Sequence, residues 1–251
     1  MHGVLDGLDL TTLVPGPQRR TAHELVRDTL RRAIFSGLLA GGTHLGQAEI
    51  ASQLAVSTTP VREALRDLAA DGLIRIDPHR GAVVHDLDHD DLREIYEIRE
   101  ALEPLAIRRA ARHITADELA TGGDLLDQMD RETDPAVWAE LNWAFHALLG
   151  RASRSPRLFS LVTSAQGSTA RYVGESLKAH PERLAEANAD HRALLAALAG
   201  HDADTSAKLV TVHLHHTLTL LLDDRDTRHD RDTRHDRDTR HDRHDRHDRH
   251  D

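Results

Sequence analysis

Hydrophobic positions in the first third of the chain repeat with helical spacing and then change to two short β-rich runs. In the clearest segment, apolar residues occupy positions 61, 64, 65 and 68, the i, i+3, i+4, i+7 spacing that turns one stripe of a helix inward. The full pattern predicts helices over 23–35, 48–54 and 60–70, then strands over 73–76 and 82–84 around a turn at 77–81. This order is typical of a helix-turn-helix unit followed by a hairpin wing.

The third of these helices carries polar residues on the face opposite its apolar stripe. Thr59 is a suitable N-cap, Pro60 suits the first helical position, and Gly72 suits the position after the C-terminus. Hydroxyl and guanidinium groups near a helix N-terminus suit phosphate oxygens and base edges, which favours DNA binding over the alternative of a winged helix used only for protein contact. The candidate DNA-binding residues, on this helix and at the wing tip, are Ser57, Thr58, Thr59, Arg62, Arg66, His79, Arg80 and Gly81.

From residue 91 to residue 222 the hydrophobic pattern is helical throughout, and no run alternates as a strand would. Helices are predicted over 91–113, 116–129, 135–151, 155–179, 181–200 and 203–222. The predicted fold class is therefore mostly α, with an N-terminal winged helix-turn-helix domain over 19–84 and a C-terminal all-helical bundle of about six helices over 91–222. Residues 1–18 are predicted to be a flexible arm, and 85–90 a linker.

The last segment, residues 223–251, is built from RDTRHD repeats that shorten to RHD repeats. It has no Leu, Ile, Val or aromatic residue, so it cannot bury a core of its own. The composition predicts a disordered, solvated tail that is at most transiently helical through Asp and Arg pairs. The alternative is a metal or anion site formed by its six histidines.

The net charge of −10 is unevenly distributed along the chain. It is −2 over residues 1–18, +2 over 19–84, −8 over 85–222 and −2 over 223–251, so only the winged segment is basic. Because phosphate binding depends on the local field of one face, this distribution is compatible with DNA binding. Cysteine is absent, which excludes disulfides and thiol chemistry, and the lack of a signal peptide or long apolar run predicts a cytoplasmic protein with no membrane partner.

Three of the predicted bundle helices carry a histidine on an inward face. Asn142 and His146 are i and i+4 on one helix, while His191 and His213 lie within the apolar stripes of two others. Three imidazoles and the amide oxygen of Asn142 would form a set suited to zinc or another divalent transition metal. The alternative is a metal-free cluster of buried, hydrogen-bonded histidines.

The run STTPVREALRDLAADGLIRIDPHRGAVV resembles the winged helix-turn-helix of the GntR family of bacterial transcription regulators. The resemblance covers roughly residues 25–84 and departs at two positions. Thr58 stands where the family often has Arg, and Ala48 stands where a basic residue is common. Both departures remove a possible phosphate or base contact, so the resemblance implies DNA binding with an altered affinity or operator sequence.

The segments NWAFH, DHRALLAAL and VHLHH, together with DLREIYEIREALEPLAIRRA, resemble the metal-binding FCD domain, the ligand-sensing half of the FadR-like branch of that family. The resemblance covers about residues 91–222 and implies the metal ligands Asn142, His146, His191 and His213, with zinc as the expected ion. Asn142 is a departure where family members have Asp, whose carboxylate binds metal more strongly; the affinity and choice of metal are therefore open.

Two arginines are candidates for binding an effector. Arg99 lies where related domains often place an Arg that meets a carboxylate effector, and Arg171, beside Tyr172, is a weaker candidate of the same kind. The alternative for Arg99, which the spacing favours slightly, is an i,i+4 ion pair with Glu103 on a solvated helix face.

The resemblance implies a homodimeric transcription regulator that binds a palindromic operator in double-stranded DNA and responds to a small carboxylate effector. By analogy with the FadR branch it would be a repressor, not an enzyme. A metal-dependent hydrolase that uses the histidine cluster is the alternative from another class. Against it, no Glu or Asp stands at HExxH-like spacing beside these histidines. A third alternative, a structural DNA-binding protein, would need no buried polar cluster.

Overall fold

The computed structural model describes residues 8–14 and 20–244, with side-chain surroundings described as far as residue 223. These residues form a mostly helical protein with one small antiparallel sheet, which confirms the predicted fold class. The elements are a 3₁₀ helix Leu10–Leu13, α1 Ala22–Phe35, α2 Gln47–Gln53, α3 Thr58–Ala70, β1 Ile74–Asp77, β2 Gly81–Val84, α4 His89–His113, α5 Ala116–Arg131, α6 Pro135–Ala152, α7 Pro156–Ala179, α8 Arg183–Ala199 and α9 Ala203–His244. Apart from the end of α9, the predicted ends of the α-helices and strands are displaced by two residues at most.

The first three helices and the hairpin form a small domain, called the head below. The apolar stripe of α3 packs against α1, and Ile74 pairs with Val84 in the hairpin. Helix α3 begins at Thr58 with Ser57 as its N-cap, so the predicted cap at Thr59 was wrong. Pro60 still fits the first turn, because the N–H groups of that turn have no intrahelical partner to lose.

Part of the predicted flexible arm packs against the head. The 3₁₀ helix buries Leu10 completely, and the backbone N–H of Leu10 donates to the side-chain oxygen of Gln53 at 3.2 Å. Leu8 and Leu13 pack beside it against the same core. Three apolar side chains within six residues therefore anchor this segment. The rest of the predicted arm, residues 1–7 and 15–18, lies outside the described residues.

Helices α4 to α9 form a bundle whose largest apolar cluster joins α4, α5, α6, α7, α8 and α9. Capping boxes fix the starts of α4 and α5, with Asp88 and Thr115 accepting backbone N–H bonds. The predicted linker is short, since α4 begins at His89, and Leu87 within it donates its N–H to the Tyr172 hydroxyl at 2.5 Å. The bundle is thus attached to the head by a few residues held against α7.

Helix α7 also packs directly on the head, at contacts so close that only glycine fits. A Cβ on Gly167 would lie 1.9 Å from the carbonyl oxygen of Asp71, and one on Gly174 would lie 2.3 Å from that of Phe35. Gly72, just after α3, has φ +75°, and a Cβ there would lie equally close to the carbonyl oxygen of Ser164. The head and the bundle therefore share a tightly packed backbone-to-backbone junction.

The last helix continues through His244 instead of ending at the predicted Leu222, so the backbone over 223–244 is helical. The repeat contains no Gly or Pro, and it places Asp230 and Asp236 four residues before Arg234 and Arg240, which supports helix formation. Residues 245–251 of the predicted tail lie outside the described residues. None of the described helices combines the length and apolar character needed to span a membrane.

Candidate functional site

The candidate DNA-binding residues of α3 lie on its exposed side. Thr58 and Thr59 are in the first turn, Arg62 and Arg66 follow at one-turn intervals, and all four side chains are solvent-exposed. Ser57, just before them, is exposed as well, and its side chain makes no capping hydrogen bond. The face therefore offers hydroxyls, guanidinium groups and a helix N-terminus to an anionic partner.

The predicted wing residues lie in the hairpin turn. The Asp77 side chain accepts hydrogen bonds from the backbone N–H groups of His79 and Arg80 at 2.8 and 2.9 Å, which hold the turn and lower the pKa of Asp77. Gly81 closes the turn with φ +77°. The side chains of His79 and Arg80 project into solvent at the tip, as DNA contact would require.

The three predicted histidine ligands converge inside the bundle. His146 of α6, His191 of α8 and His213 of α9 each offer a ring nitrogen, and these nitrogens all lie within 4.8 Å of one another. The ring centroid of His191 is 5.0 Å from that of His146 and 4.6 Å from that of His213. Helices distant in sequence thus bring three imidazoles close enough to share one ion.

Burial controls the chemistry of this cluster. Desolvation lowers the pKa of His146 and of His191 well below the ordinary histidine value, and the nearby His213 lowers both further. Both imidazoles are therefore neutral at neutral pH, the form whose nitrogen lone pair can bind a metal. Within the described part of the chain, neither ring nitrogen of His191 has a hydrogen-bond partner, and neither does the buried Oδ1 atom of Asn142.

Asp190 is a member of this site that the sequence reasoning missed. Its carboxylate lies 3.5 Å from Nδ1 of His213 and 3.3 Å from Nδ1 of His216. Hydrogen bonding to His213 is the main reason for the lowered pKa of Asp190. A carboxylate on Nδ1 leaves Nε2 of His213 available for a metal, and an acid directly preceding His191 in the sequence was a signal for such a partner.

A cavity of about 100 Å³ adjoins the histidine cluster. Asn142, His146 and His213 line one side of it, and polar groups from α7 line another. Apolar and aromatic side chains close the rest. The lining residues that the sequence did not single out include Phe35, Trp143, Gln166, Thr169, Ser176 and Arg183.

Arg99 lines this cavity and is buried, so the predicted solvated face for Arg99 was wrong. The predicted ion pair is present, because Nε of Arg99 donates to Glu103 at 2.6 Å. One Nη group also donates to the Thr169 hydroxyl at 3.3 Å, and the guanidinium lies over the Tyr96 ring. Burial among polar partners fixes Arg99 in place at the cavity wall.

Arg171 does not line the cavity, so its suggested contact with the effector is not supported. Its guanidinium is hydrogen-bonded to Glu175, lies 4.0 Å from Asp86 and packs over the Tyr172 ring. Helix periodicity turns residue 171 toward the head and the linker, away from the face that carries Thr169 and Ala170.

Together, a winged head whose third helix exposes two arginines and a helical bundle with a ligand-type cavity define a DNA-binding transcription regulator with an effector domain. Comparison with known proteins identifies the family within this class of regulators. The model of the bacterial regulatory proteins of the gntR family matches residues 22–84, and the FCD domain model matches residues 94–216. The chain belongs to the GntR family of transcription regulators, in the branch with an FCD domain.

Curated relatives and solved structures agree with this assignment. The probable D-xylose utilization operon transcriptional repressor of Paenarthrobacter nicotinovorans is 32% identical over 78% of this chain and 87% of its own length. The transcriptional repressor RspR of Escherichia coli K12 is 31% identical over 74% of this chain and 82% of its own length. The structure of E. coli McbR/YncC, at 24% identity and TM-score 0.69, covers 82% of this chain and 99% of that one and shows the same fold.

These relatives are transcription regulators, and the family is not one of enzymes. The alternative of a metal-dependent hydrolase gains no support from them. The histidine cluster lies within the segment that matches the FCD domain.

Proposed function

We propose that this protein is a repressor whose two heads, in a homodimer, bind a palindromic operator, and whose operator affinity changes when a small organic acid binds beside a metal in the bundle. The observation that carries the proposal is the cluster of His146, His191 and His213, two of which, His146 and His213, line a cavity that also contacts Phe35 of the head. The relatives named as repressors support this direction of control. Acting on DNA, the protein would function in the cytoplasm.

The residues present fit a divalent transition metal. His191 is completely buried and both its ring nitrogens are unpartnered within the described residues, a costly state that a metal bond to one of them would relieve. Asn142 adds an unpartnered oxygen in the same region. His146, His191, His213 and Asn142 would therefore hold the ion, and three nitrogens with one oxygen suit zinc. A bound ion would supply a Lewis-acid contact for a carboxylate.

The cavity favours an acidic effector. Arg99 keeps N–H groups beyond those used by Glu103 and Thr169, because guanidinium has five. The hydroxyl of Ser176 is buried and without a partner within the described residues, so it too is available to a ligand. A carboxylate between the metal and Arg99 would meet charge at both ends, while Gln166 and Ser176 would bind further oxygen atoms.

Coupling to the head would pass through Phe35. This residue ends α1 of the head, yet its side chain lines the cavity and lies against Trp143 of α6, with ring centroids 6.1 Å apart. The Phe35 carbonyl also forms the close contact with Gly174. An effector that fits only one arrangement of Phe35 and Trp143 would favour one placement of the head, which is what a change in operator affinity requires.

The test compares the wild-type chain with His191→Gln. Zinc content is measured after reconstitution and dialysis, and operator affinity is measured with and without small mono- and dicarboxylic acids on a DNA site selected from genomic fragments. We expect His191→Gln to lower zinc affinity by more than about 100-fold, beyond the effect of losing an outer partner, and to remove the response to the acid. Operator binding without acid should persist, since the head is unchanged.

His79→Gln is the matched control for histidine loss, because His79 is exposed in the wing and far from the cluster in sequence. Its zinc content should equal that of the wild type. The histidines of the tail are present in all three proteins, so any zinc bound there cancels in the comparison. Equal zinc content in wild type and His191→Gln would contradict the metal site, and operator affinity unmoved by every acid would contradict the acidic effector.

A further inference from the structure

Exposed hydrophobic side chains are concentrated on one side of the bundle. Within the described part of the chain, seven large hydrophobic side chains are more than a third exposed. Four of them lie on three helices of the bundle, and they are Ile98 (44%) and Leu105 (50%) of α4, Leu161 (58%) of α7 and Val212 (46%) of α9. Such a concentration on a protein surface commonly marks an interaction site.

The three helices are neighbours, with α4 in the middle. Ala106 of α4 packs against Leu158 and Val162 of α7 on one side. On the other side, Arg108 pairs with Asp204 of α9 at 3.3 Å, and Glu100 pairs with His215 at 3.2 Å. The exposed face of α4 is therefore the centre of the patch, flanked by Leu161 and Val212.

Charges along the exposed face of α4 are largely separated by sign, with Arg93, which pairs with Asp90 at 3.0 Å, as an exception. Asp90, Glu94, Ala101, Arg108 and Arg112 are all exposed and follow one another at intervals of four and seven residues, so they share one side of the helix. The acids lie toward the N-terminus, the arginines toward the C-terminus, and a small alanine lies at the midpoint. The helix dipole alone favours this distribution of charge, but it gives no reason for exposed Ile98 and Leu105.

The spacing is self-complementary. Glu94 and Arg108 are each seven residues from Ala101, and Asp90 and Arg112 are each eleven. If two copies of α4 cross antiparallel at Ala101, Glu94 of each copy faces Arg108 of the other. A twofold axis requires that the same patch serve both partners, and this pattern meets that requirement. The small side chain of Ala101 would also allow the helices to approach closely.

We infer that this face of α4, with Leu161 and Val212 at its sides, is the surface on which a second copy of the chain docks. The inference rests on the proposed function, which needs two heads, and it adds the face, the antiparallel orientation and the pairing of residues. Helix α4 begins five residues after β2 ends. Pairing α4 across the axis would therefore fix the spacing of the two heads on DNA.

The first test replaces an apolar residue at the centre of the face. In a crossing at Ala101, Leu105 faces Glu97 of the partner subunit, so Leu105→Asp places a desolvated charge against a like charge, and we expect the dimer dissociation constant to rise by on the order of 100-fold in the full-length protein. Sedimentation velocity over a concentration series measures it. Leu38→Asp is the control, since Leu38 is similarly exposed on the head and should leave the dimer unchanged. Circular dichroism melts confirm that both variants fold.

The second test exchanges charges. Glu94→Arg alone and Arg108→Glu alone each place like charges across the axis and should weaken the dimer by about tenfold or more, whereas the double variant should recover most of the affinity. The ion pair of Arg108 with Asp204 is lost in both variants that carry Arg108→Glu, so the decisive comparison is between those two. If these charges acted only on the helix dipole, the double variant would place both charges unfavourably and would have the lowest melting temperature of the three variants, with no recovery of dimer affinity. Recovery therefore supports the antiparallel pairing, and its absence overturns it.

The outcomes separate this inference from the proposed function. A wild-type chain that remains monomeric both free and on a palindromic operator contradicts both. A wild-type dimer that Leu105→Asp does not weaken leaves the two-headed function intact and shows that another face forms the dimer. A dimer that Leu105→Asp dissociates and the charge exchange restores supports both.

Discussion

The head and the bundle use charged and ionisable groups in opposite ways. Arg62, Arg66 and Arg80 are exposed in the head, where each can meet an external phosphate without losing an ion pair to another described residue. In the bundle, His191 is buried and neutral, and Arg99 is buried and paired with Glu103. The head should therefore respond mainly to salt, and the bundle mainly to acid, metal and small ligands.

The two regions also differ in how far apart in sequence their residues lie. The head gathers its DNA-binding residues between Ser57 and Gly81, within one helix and one hairpin. The bundle takes its histidines from α6, α8 and α9. Local structure is enough to form the first site, whereas the second exists only when the bundle is packed. Breaking the packing should thus damage the second site far more than the first.

The largest expected effect comes from breaking the junction between the two regions. Gly167→Val places a Cβ 1.9 Å from the Asp71 carbonyl oxygen, and because both atoms belong to backbone held by helices, neither can move away cheaply. We expect a loss of about 3 kcal/mol or more in the free energy of unfolding, measured by chemical denaturation.

Gly123→Ala is the control for glycine replacement, since a Cβ at Gly123 meets nothing within 4 Å. It should be neutral or stabilising by up to about 1 kcal/mol, because Ala favours a helix more than Gly does. Equal denaturation midpoints for the two variants would show that the head and the bundle are not packed together as described.

A second test separates the regions by acid. Because burial lowers the pKa of His146 and His191 in the folded state, the unfolded chain binds protons below about pH 6.5 that the metal-free folded chain does not. Stability is therefore retained above about pH 6.5 and lost as pH falls, by about 1.4 kcal/mol per pH unit for each imidazole. Denaturation at pH 7.5, 6.5 and 5.5 measures the slope.

His191→Gln should reduce this slope by the share of one imidazole, about 1.4 kcal/mol per pH unit, whereas His79→Gln, in the exposed wing, is the matched histidine control. A slope unaffected by His191→Gln would mean that this imidazole is not buried in the neutral form.

A third test concerns the exposed cations of the head. Arg62→Ala should weaken operator binding by about 1–3 kcal/mol without changing the melting temperature, because Arg62 is exposed on the recognition helix and makes no packing contribution to the core. Gel-shift titrations at several salt concentrations measure both the affinity and its salt dependence. If Arg62 binds a phosphate, the salt slope should fall by about one.

Arg157→Ala provides the comparison for Arg62→Ala, since Arg157 is an exposed arginine on α7 of the bundle. It should leave operator affinity unchanged. Equal affinities for the two variants would remove α3 from the proposed DNA interface.

The smallest effect is expected at the C-terminal repeat. Truncation after Leu222 removes the charged part of α9 and the following residues, none of which is an apolar side chain able to pack on the bundle. The free energy of unfolding should change by no more than about 0.5 kcal/mol, as measured by urea denaturation. A larger loss would show that the continued helix packs on the folded protein.

Sequence by itself determined the elements of this protein, because helical periodicity, capping residues and turn residues act over a few neighbours. The stripe from Val61 to Leu68 and the turn closed by Gly81 are examples, and the structure places both as predicted. Sequence also predicted that His146, His191 and His213 point inward, since each shares a helix face with apolar residues.

Tertiary structure alone decided which distant groups meet. Helix periodicity could not show that Asp190 would lie beside His213, that Arg99 would be buried with Glu103, or that Arg171 would turn away from the cavity. It could not show that Phe35 of the head reaches a cavity in the bundle. These contacts depend on how the helices are rotated and stacked, and that arrangement is fixed by side-chain packing across the whole molecule and by close glycine contacts such as Gly167 with Asp71.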